Sequence, residues 1–328
     1  MPISFPQVRV TINGMNVQGV TGIMVEQTGY YAADRFAIEL AMGAAPLFDA
    51  GYYSELGLAE IIIEVANYQA GFVGLMTGQI DNIKIDFASN LVSLSGRDLS
   101  ARLIDAEISE TFVNQTSSQI AGTLAVRHGL TPNVTATSTP IGQYYELDHA
   151  RSVLGLNSRS GSEWDLMVQL AQLENFSLSI VGETLNFLNQ VLQQPTLLNV
   201  QDCMELSIDL ATTLPTTTIV KSWNTRNKAA LTQSAGAVSG GKTTLIKPNL
   251  TTEQAQLIAS NHLMALTAHS GIMTAKIPGE LELLPAARIL LAGTESSLDQ
   301  IYMTDSIVRR ISVADGFTQM IRAHAVPG

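Results

Sequence analysis

Residues 236 to 243 read GAVSGGKT and satisfy the G-x-x-x-x-G-K-[ST] spacing of a phosphate-binding loop. In such a loop, successive amides cradle phosphates, Lys242 would reach the β and γ groups, and Thr243 would ligate magnesium. The flanks oppose that chemistry. A phosphate loop needs a buried apolar strand before it and a helix that starts at its Lys-Thr; here KAALTQSA precedes and TLIKP follows. No apolar strand ending in Asp follows to orient a metal, since ARILLAGTE offers only Glu295. The stretch reads as a flexible loop between strand and helix.

A second candidate is the run Glu163-Trp164-Asp165, an aromatic between two acids. An acid–base pair places its carboxyls on opposing walls of a cleft, whereas residues two apart on a helix point in different directions. Ser162 and Asp165 have the spacing of a capping box, and both acids would sit in a first turn where the helix dipole favours negative charge. Trp164, Met167, Val168 and Ala171 then form an apolar stripe. The five histidines are scattered. His262 and His269 are two turns apart, too far for one metal, and no Cys or third His stands nearby. Cys203 reads as a small buried side chain without a local base, and Trp223 as an anchor at a strand end. The sequon at Asn114 carries no meaning without a secretory signal. The sequence thus assigns no catalytic, cofactor-binding or metal-binding residue and expects no cofactor and no enzymatic activity.

The elements around these residues alternate between two periods. VRVTI, Asn13-Gly14 and MNVQGV form the strongest short hairpin signal. Phe36, Ile38, Leu40 and Met42 share one face, as do Ile61, Ile63 and Val65. Ile83, Ile85 and Phe87 lead through Ser89-Asn90 into LVSLSGRD. A closed or strongly curved antiparallel sheet is predicted. From Arg97 the period becomes helical: DLSARLIDAEI with Asp98 as N-cap, then TSSQIAGTLAVRHGL with a capping box at Thr116 and Gln119, a C-terminal Gly129, and Ile120, Leu124 and Ala125 facing inward. Residues 131 to 161 read as a long surface connection. The helix from Ser162 ends at Asn175, and a hairpin turning at Gly182-Glu183 presents Phe176, Leu178, Ile180, Leu185 and Phe187 to it.

After residue 200 strands return: ELSIDL, then TTIVKSW, turning at NTRN into KAALTQ. A glycine-rich polar run reaches Asn249. A helix with Thr251 and Gln254 at capping-box spacing follows, carrying Ala255, Ile258, Ala259 and Leu263 on one face. GIMTAKI, a Pro278-Gly279 turn, ELELL and ARILLAG resume the sheet. There is also an internal echo. MTGQI at 76 to 80 precedes one strand–turn–strand run and MTDSI at 303 to 307 another, and Ile83, Ile85 and Phe87 correspond to Arg309, Ile311 and Val313.

The chain of 328 residues is long enough for two or three domains. It is 46% hydrophobic and only 14% charged, and no apolar run approaches a membrane span, so its surplus apolar surface is expected to be covered by copies of itself or by partners. Net charge is −11; residues 1 to 100 hold 10 acids and 4 bases, 101 to 200 hold 9 and 4, and the rest 10 and 10. That balance argues against gripping nucleic-acid phosphates and suits a surface that DNA slides past. One cysteine and no signal segment imply intracellular synthesis.

Three stretches resemble, in order, the baseplate hub proteins of contractile-tailed phages, the late control protein D family: GRDLSARLIDAEI with NQTSSQIAGTLAVRHGL, SEWDLMVQLAQLENFSLSIVGETLNF, and IVKSWNTRNK leading to TAKIPGELELLPAARILLAG. The resemblance implies an α+β, β-rich chain with two tube-like antiparallel β-barrel domains, 1–100 and 191–328 (the second with one helix), flanking a mixed α/β domain, 101–190. It implies a homotrimeric ring in the virion that adapts the sixfold tail tube or a distal tail protein to the threefold spike. Other baseplate proteins would bind it, DNA would only pass through, and no stable membrane association is expected. The spike would be a separate chain, because the sequence stops at Gly328. A related contractile injection device or gene transfer agent is the alternative; a nucleotide-binding enzyme using the 236–243 loop is the weaker one.

Overall fold

The computed structural model describes residues 7–45, 47–67, 71–108, 112, 114–138, 140–141, 161–189, 194–212, 215–224, 229–237, 241–248, 250–268 and 270–326. The chain is β-rich α+β. The first β unit comprises β1 (Val8–Ile12), β2 (Met15–Val17), β3 (Val20–Thr28), β4 (Arg35–Ala41), helix α1 (Ala50–Ser54), β5 (Glu60–Asn67), β6 (Gly71–Asp86) and β7 (Leu91–Asp98). The β1–β2 hairpin turns where predicted, with Asn13 at φ 46° and Gly14 at φ 81°, the left-handed pair that matches the twist of the flanking strands. Phe36, Ile38 and Leu40 on β4 and Ile61, Ile63 and Val65 on β5 interlock with Val92 and Leu94 of β7 in one aliphatic core. Phe87 does not join it: it lies past the end of β6 and is 74% exposed.

The middle of the chain holds α2 (Ala101–Ile104), β8 (Gln115–Thr116), α3 (Ser117–Arg127), β9 (Thr131–Val134), β10 (Pro140–Ile141), α4 (Glu163–Glu174), β11 (Phe176–Val181) and β12 (Thr184–Asn189). All three predicted capping boxes form, Thr116 with Gln119, Ser162 with Asp165 and, further along, Thr251 with Gln254. Asn175 ends α4 in the left-handed conformation, and Gly129 follows α3 likewise. Asp98 is not the N-cap of α2. It is the last residue of β7, Ser100 holds the cap position, and the Asp98 carboxylate accepts from Ser100 instead. The predicted surface connection also contains more order than expected: β9 pairs in parallel with β12. Residues 139 and 142 to 160 of that stretch lie outside the described residues.

The last part adds β13 (Thr196–Asn199), β14 (Glu205–Leu210), β15 (Pro215–Asn224), β16 (Ala229–Gly236), β17 (Gly241–Ile246), α5 (Thr252–Ala268), β18 (Gly271–Pro278), β19 (Arg288–Ala292), β20 (Ile301–Ser312) and β21 (Gly316–Ala325). ELELL is not a strand. Residues 280 to 284 form a loop in which the Glu280 carboxylate accepts from the amides of Glu282 and Leu283.

Strand pairing joins both ends of the chain. A single 13-stranded sheet runs β14-β18-β21-β20-β3-β4-β7-β6-β5-β1-β2, with β19 beside β20 and β13 beside β19. Among the described residues no sheet closes on itself, so the two halves meet as one open sheet and not as two separately closed barrels. The reason lies in β20. One of its edges is split, with residues 301 to 303 pairing with β19 and 306 to 312 pairing with β3, while β21 occupies the other edge. Outside this sheet, β15 is flanked by β16 (antiparallel) and β17 (parallel), and α5 packs one face of the trio through Ala255 and Ala259 against Val220.

Candidate functional site: a polar seam between the β units

Of the four buried charged residues among those described, two, Asp305 and Arg309, lie at the β3–β20 junction. On β20, alternation sends Ile307, Arg309 and Ile311 to the same inward side, and Arg309 is 2% exposed. Its guanidinium needs partners, because an unpaired buried charge costs several kcal/mol. It finds three acceptors: Nε donates to the Glu280 carbonyl at 3.0 Å, one Nη to the Leu283 carbonyl, and the other to Gln27 Oε1 on β3. Gln319 on β21, opposite Arg309, donates to the Glu280 carboxylate at 2.5 Å. One arginine and one glutamine therefore fasten the 280–283 loop across the sheet. Desolvation lowers the Arg309 pKa, opposed by the charges of Glu280 and Asp34.

One step along β20, the β20–β21 register shifts between Thr304 and Ser306, and Asp305 sits at that irregularity, where the edge passes from β19 to β3. Its carboxylate accepts from the Tyr30 hydroxyl at 2.7 Å and pairs with His324 Nδ1 of β21. Burial, then the bond to Asp305, raises the Tyr30 pKa. On the far side of β3, Asp34 accepts from the Thr28 amide at 2.8 Å and lies close enough to Asp98 to feel its charge. Burial first, then the Asp98 charge, pushes Asp34 up to about 7. Burial pushes Asp98 up to about 6 against the bonds it receives from Ser100.

A carboxyl that titrates near neutrality could serve as a general acid or base. A concavity of about 270 Å³ is lined by Leu210, Thr267, Ser270, Gly271, Gln300, Ala325 and Val326, none of them titratable. Among the described residues no group of three or more His, Cys, Asp or Glu could hold a metal. What the seam does is join: it fixes the two β units to each other with charge-assisted bonds inside a continuous ladder.

The residues singled out in sequence are dispersed. Lys242 and Thr243 lie on β17, an edge strand in register with Thr217 and Thr218 of β15. The strand replaces the expected loop over 241–246 and also removes the helix start that a phosphate loop requires; residues 238 to 240 lie outside the described residues. Glu163 is buried at the N-terminus of α4, where Arg127 Nη1 and His128 Nε2 each approach it at 2.5 Å, tying the end of α3 to the start of α4. Asp165 caps. Trp164 is buried and donates its Nε1–H to the Tyr31 carbonyl at 2.7 Å, anchoring the middle of the chain to the β3–β4 connection. His262 Nδ1 meets Thr218 Oγ1 at 3.3 Å, and His269 lies outside the described residues. Cys203 is partly buried against the core of the last β unit. Trp223 lies near the end of β15 as expected but does not anchor the strand within this chain, since it is 51% exposed. Asn114 has φ 54°, a turn position.

Sequence reasoning missed the seam, although one signal was present. The echo sets Arg309 where the first hairpin has Ile83, so an inward-facing position holds a charge. A charge at an inward strand position is the mark of a buried polar contact.

No protein-family model matches the chain, and no curated protein matches it in sequence. Solved structures do match in fold. The prophage MuSo2 43 kDa tail protein from Shewanella oneidensis is similar with TM-score 0.76 and 16% identity, over 97% of this chain and 98% of that one. A tail protein from Neisseria meningitidis MC58 is similar with TM-score 0.74 and 14% identity, over 98% and 96%. The E. coli c3393 protein, described as a type VI secretion component similar to phage T4 tail proteins gp27 and gp5, is similar with TM-score 0.58 and 13% identity, over 97% and 76%. Over essentially its whole length, the chain has the fold of these two tail proteins.

Proposed function

We propose that the chain is the structural hub of a contractile phage-tail baseplate. Three copies form a ring that adapts the sixfold tail tube, or a distal tail protein, to a separate threefold spike and leaves a passage for DNA. The observation that carries this reading is the end-to-end fold match to a prophage tail protein, which leaves almost no part of either chain unaccounted for. Residues 1–100 and 191–328 are read as the two tube-like units and 101–190 as the mixed one; distinct apolar cores centred on Ile61, Leu124 and Ile307 support that division. The sheet's open edges at β2 and β14 are what neighbouring copies would cover, since free edges otherwise invite uncontrolled pairing. The acids concentrated in the first two hundred residues would keep DNA phosphates from sticking during passage. The chain acts without catalysis, so adding or withholding nucleotide leaves assembly unchanged.

The test is to delete the gene and to count the chain in purified tails by quantitative mass spectrometry. The expected result is loss of tails on deletion and three copies per particle in the wild type. Intact tails without the chain, or a copy number that is not a multiple of three, would overturn the proposal. The similarity to a type VI secretion component favours a second reading, the hub of a related injection device. Neighbouring tube, sheath and capsid genes favour the phage over a secretion device, which needs no capsid.

A further inference from the structure

The trio β15, β16 and β17 differs from the rest of the molecule in charge and in cover. From Leu210 to Thr252 the sequence contains no Asp or Glu but holds Lys221, Arg226, Lys228, Lys242 and Lys247, while all 29 acids of the chain lie outside it. One face of the trio is closed by α5. Strand alternation sends Val220 and Ser222 to that covered face and Lys221 and Trp223 to the other. Register places Ile246 beside Lys221 and Lys242 on the same open face. Trp223 is 51% exposed and Ile246 is 81% exposed, and no acid of the described residues pairs with Lys221 or Lys242. A tryptophan and an isoleucine bordered by unpaired lysines make an interface anchor with a charged rim.

A complementary surface exists on the same chain. Residues 36 to 83 contain six acids and no Lys or Arg. Glu60, Glu64 and Asp81 are taken by Arg102, Arg9 and Arg97. Asp49 and Glu55, at the two ends of α1, are exposed and have no cationic partner among the described residues, and beside them Leu47 is 58% and Leu58 82% exposed.

We infer that the open face of the β15–β17 trio docks onto the α1 segment of a second copy of this chain, lysines against Asp49 and Glu55 and Trp223 against the exposed leucines. Two different patches meeting in this way form a head-to-tail contact, which generates a closed ring when the rotation allows. The inference rests on the proposed ring for the meeting of copies and adds which surfaces meet. Charge also selects the occupant. A second copy brings, at Asp49 and Glu55, acids that have no cationic partner among the described residues and that the trio lacks.

The experiment mixes isotopically light and heavy full-length chains, follows association by sedimentation over a concentration series, and applies a zero-length carbodiimide that joins amines to carboxylates. Light-to-heavy links from Lys221 or Lys242 to Asp49 or Glu55 are expected, with association weakening as salt rises. Lys221→Glu with Lys242→Glu should weaken association about tenfold or more, and mixing that variant with Glu55→Lys should restore part of it. Far-UV circular dichroism confirms that each variant folds. Links between copies that avoid the trio, no association at any concentration, or a DNA duplex that quenches Trp223 and competes with self-association would each overturn the inference. Three copies per tail with links elsewhere would remove this contact and leave the ring; the expected links in a protein that tails do not need would do the reverse.

Discussion

The β6–β7 and β20–β21 hairpins carry the echoed runs MTGQI and MTDSI and sit in the same sheet, yet they are held in different ways. At the matched inward position one has Ile83, packed against the aliphatic core of the first unit, and the other has the buried guanidinium of Arg309. β6 pairs with β5 and β7, its neighbours in sequence, so its side chains meet a core that its own unit supplies. β20 pairs with its neighbours β19 and β21 and also with β3, nearly three hundred residues away, and its Arg309 side chain bonds to a loop outside the strands. A dry contact stabilises by area and tolerates small shifts. A guanidinium aimed at three fixed acceptors specifies position, which suits a junction whose register must be unique.

The largest expected effect is on that difference itself. Arg309→Met leaves the Glu280 and Leu283 carbonyls and Gln27 without their donor and should cost about 3–5 kcal/mol in urea unfolding. Ile83→Val, at the matched position of the first hairpin, should cost about 1 kcal/mol or less, since it removes one methylene from a partly buried site. Equal costs at the two positions would end the comparison.

The next effect sharpens the seam from the backbone side. Gly29 approaches so closely that an added Cβ would lie 3.0 Å from both the Ala286 nitrogen and the Thr304 oxygen. These are main-chain atoms and cannot swing aside. Gly29→Ala should therefore destabilise by about 1–3 kcal/mol, whereas Gly74→Ala on β6, where nothing lies within 4 Å, should change little. Thermal melts of the two variants side by side decide the point.

A third prediction uses protonation. Asp34 and Asp98 have pKa values raised to about 7 and about 6, so the folded state holds their protons more tightly than the unfolded chain does. With the folded pKa above the unfolded one, stability must rise as pH falls from about 8 toward 4, the interval in which the folded protein is protonated and the unfolded chain is still ionised. Asp34→Asn keeps an oxygen for the Thr28 amide and removes the charge. It should stabilise by on the order of 2 kcal/mol at pH 8, have little effect near pH 4, and flatten the pH profile. A steeper profile in the variant would contradict the assignment.

The pattern of what the sequence revealed follows distance along the chain. Asn13-Gly14, the three capping boxes, Asn175 and Gly129 were legible because each is settled within four residues by backbone conformation or a local hydrogen bond. The β3–β20 ladder, β9 beside β12 and the edge strand β17 were not, because nothing in a strand names its distant partner. ELELL alternates like a strand, but Glu280 turns the chain by capping Glu282 and Leu283, a contact invisible to periodicity. The capping role of Asp165 was readable; the pairing of Glu163 with Arg127 and His128 was not, since it needs α3 and α4 placed side by side.

The smallest expected effect returns to the two hairpins at their tips. Phe87 and Val313 occupy matched positions and are 74% and 75% exposed, so neither contributes much to its own core. Phe87→Ser and Val313→Ser should each move stability by less than about 0.5 kcal/mol, in contrast to the wide gap expected between Ile83 and Arg309 two turns of the alternation earlier. Both residues are nevertheless apolar where a solvent-facing turn favours polar side chains. If unfolding is unchanged while self-association or incorporation into tails falls for both variants alike, the hairpins differ in how they are held and agree in what they present. A loss confined to one of them would show that the likeness of the two runs ends at the strand.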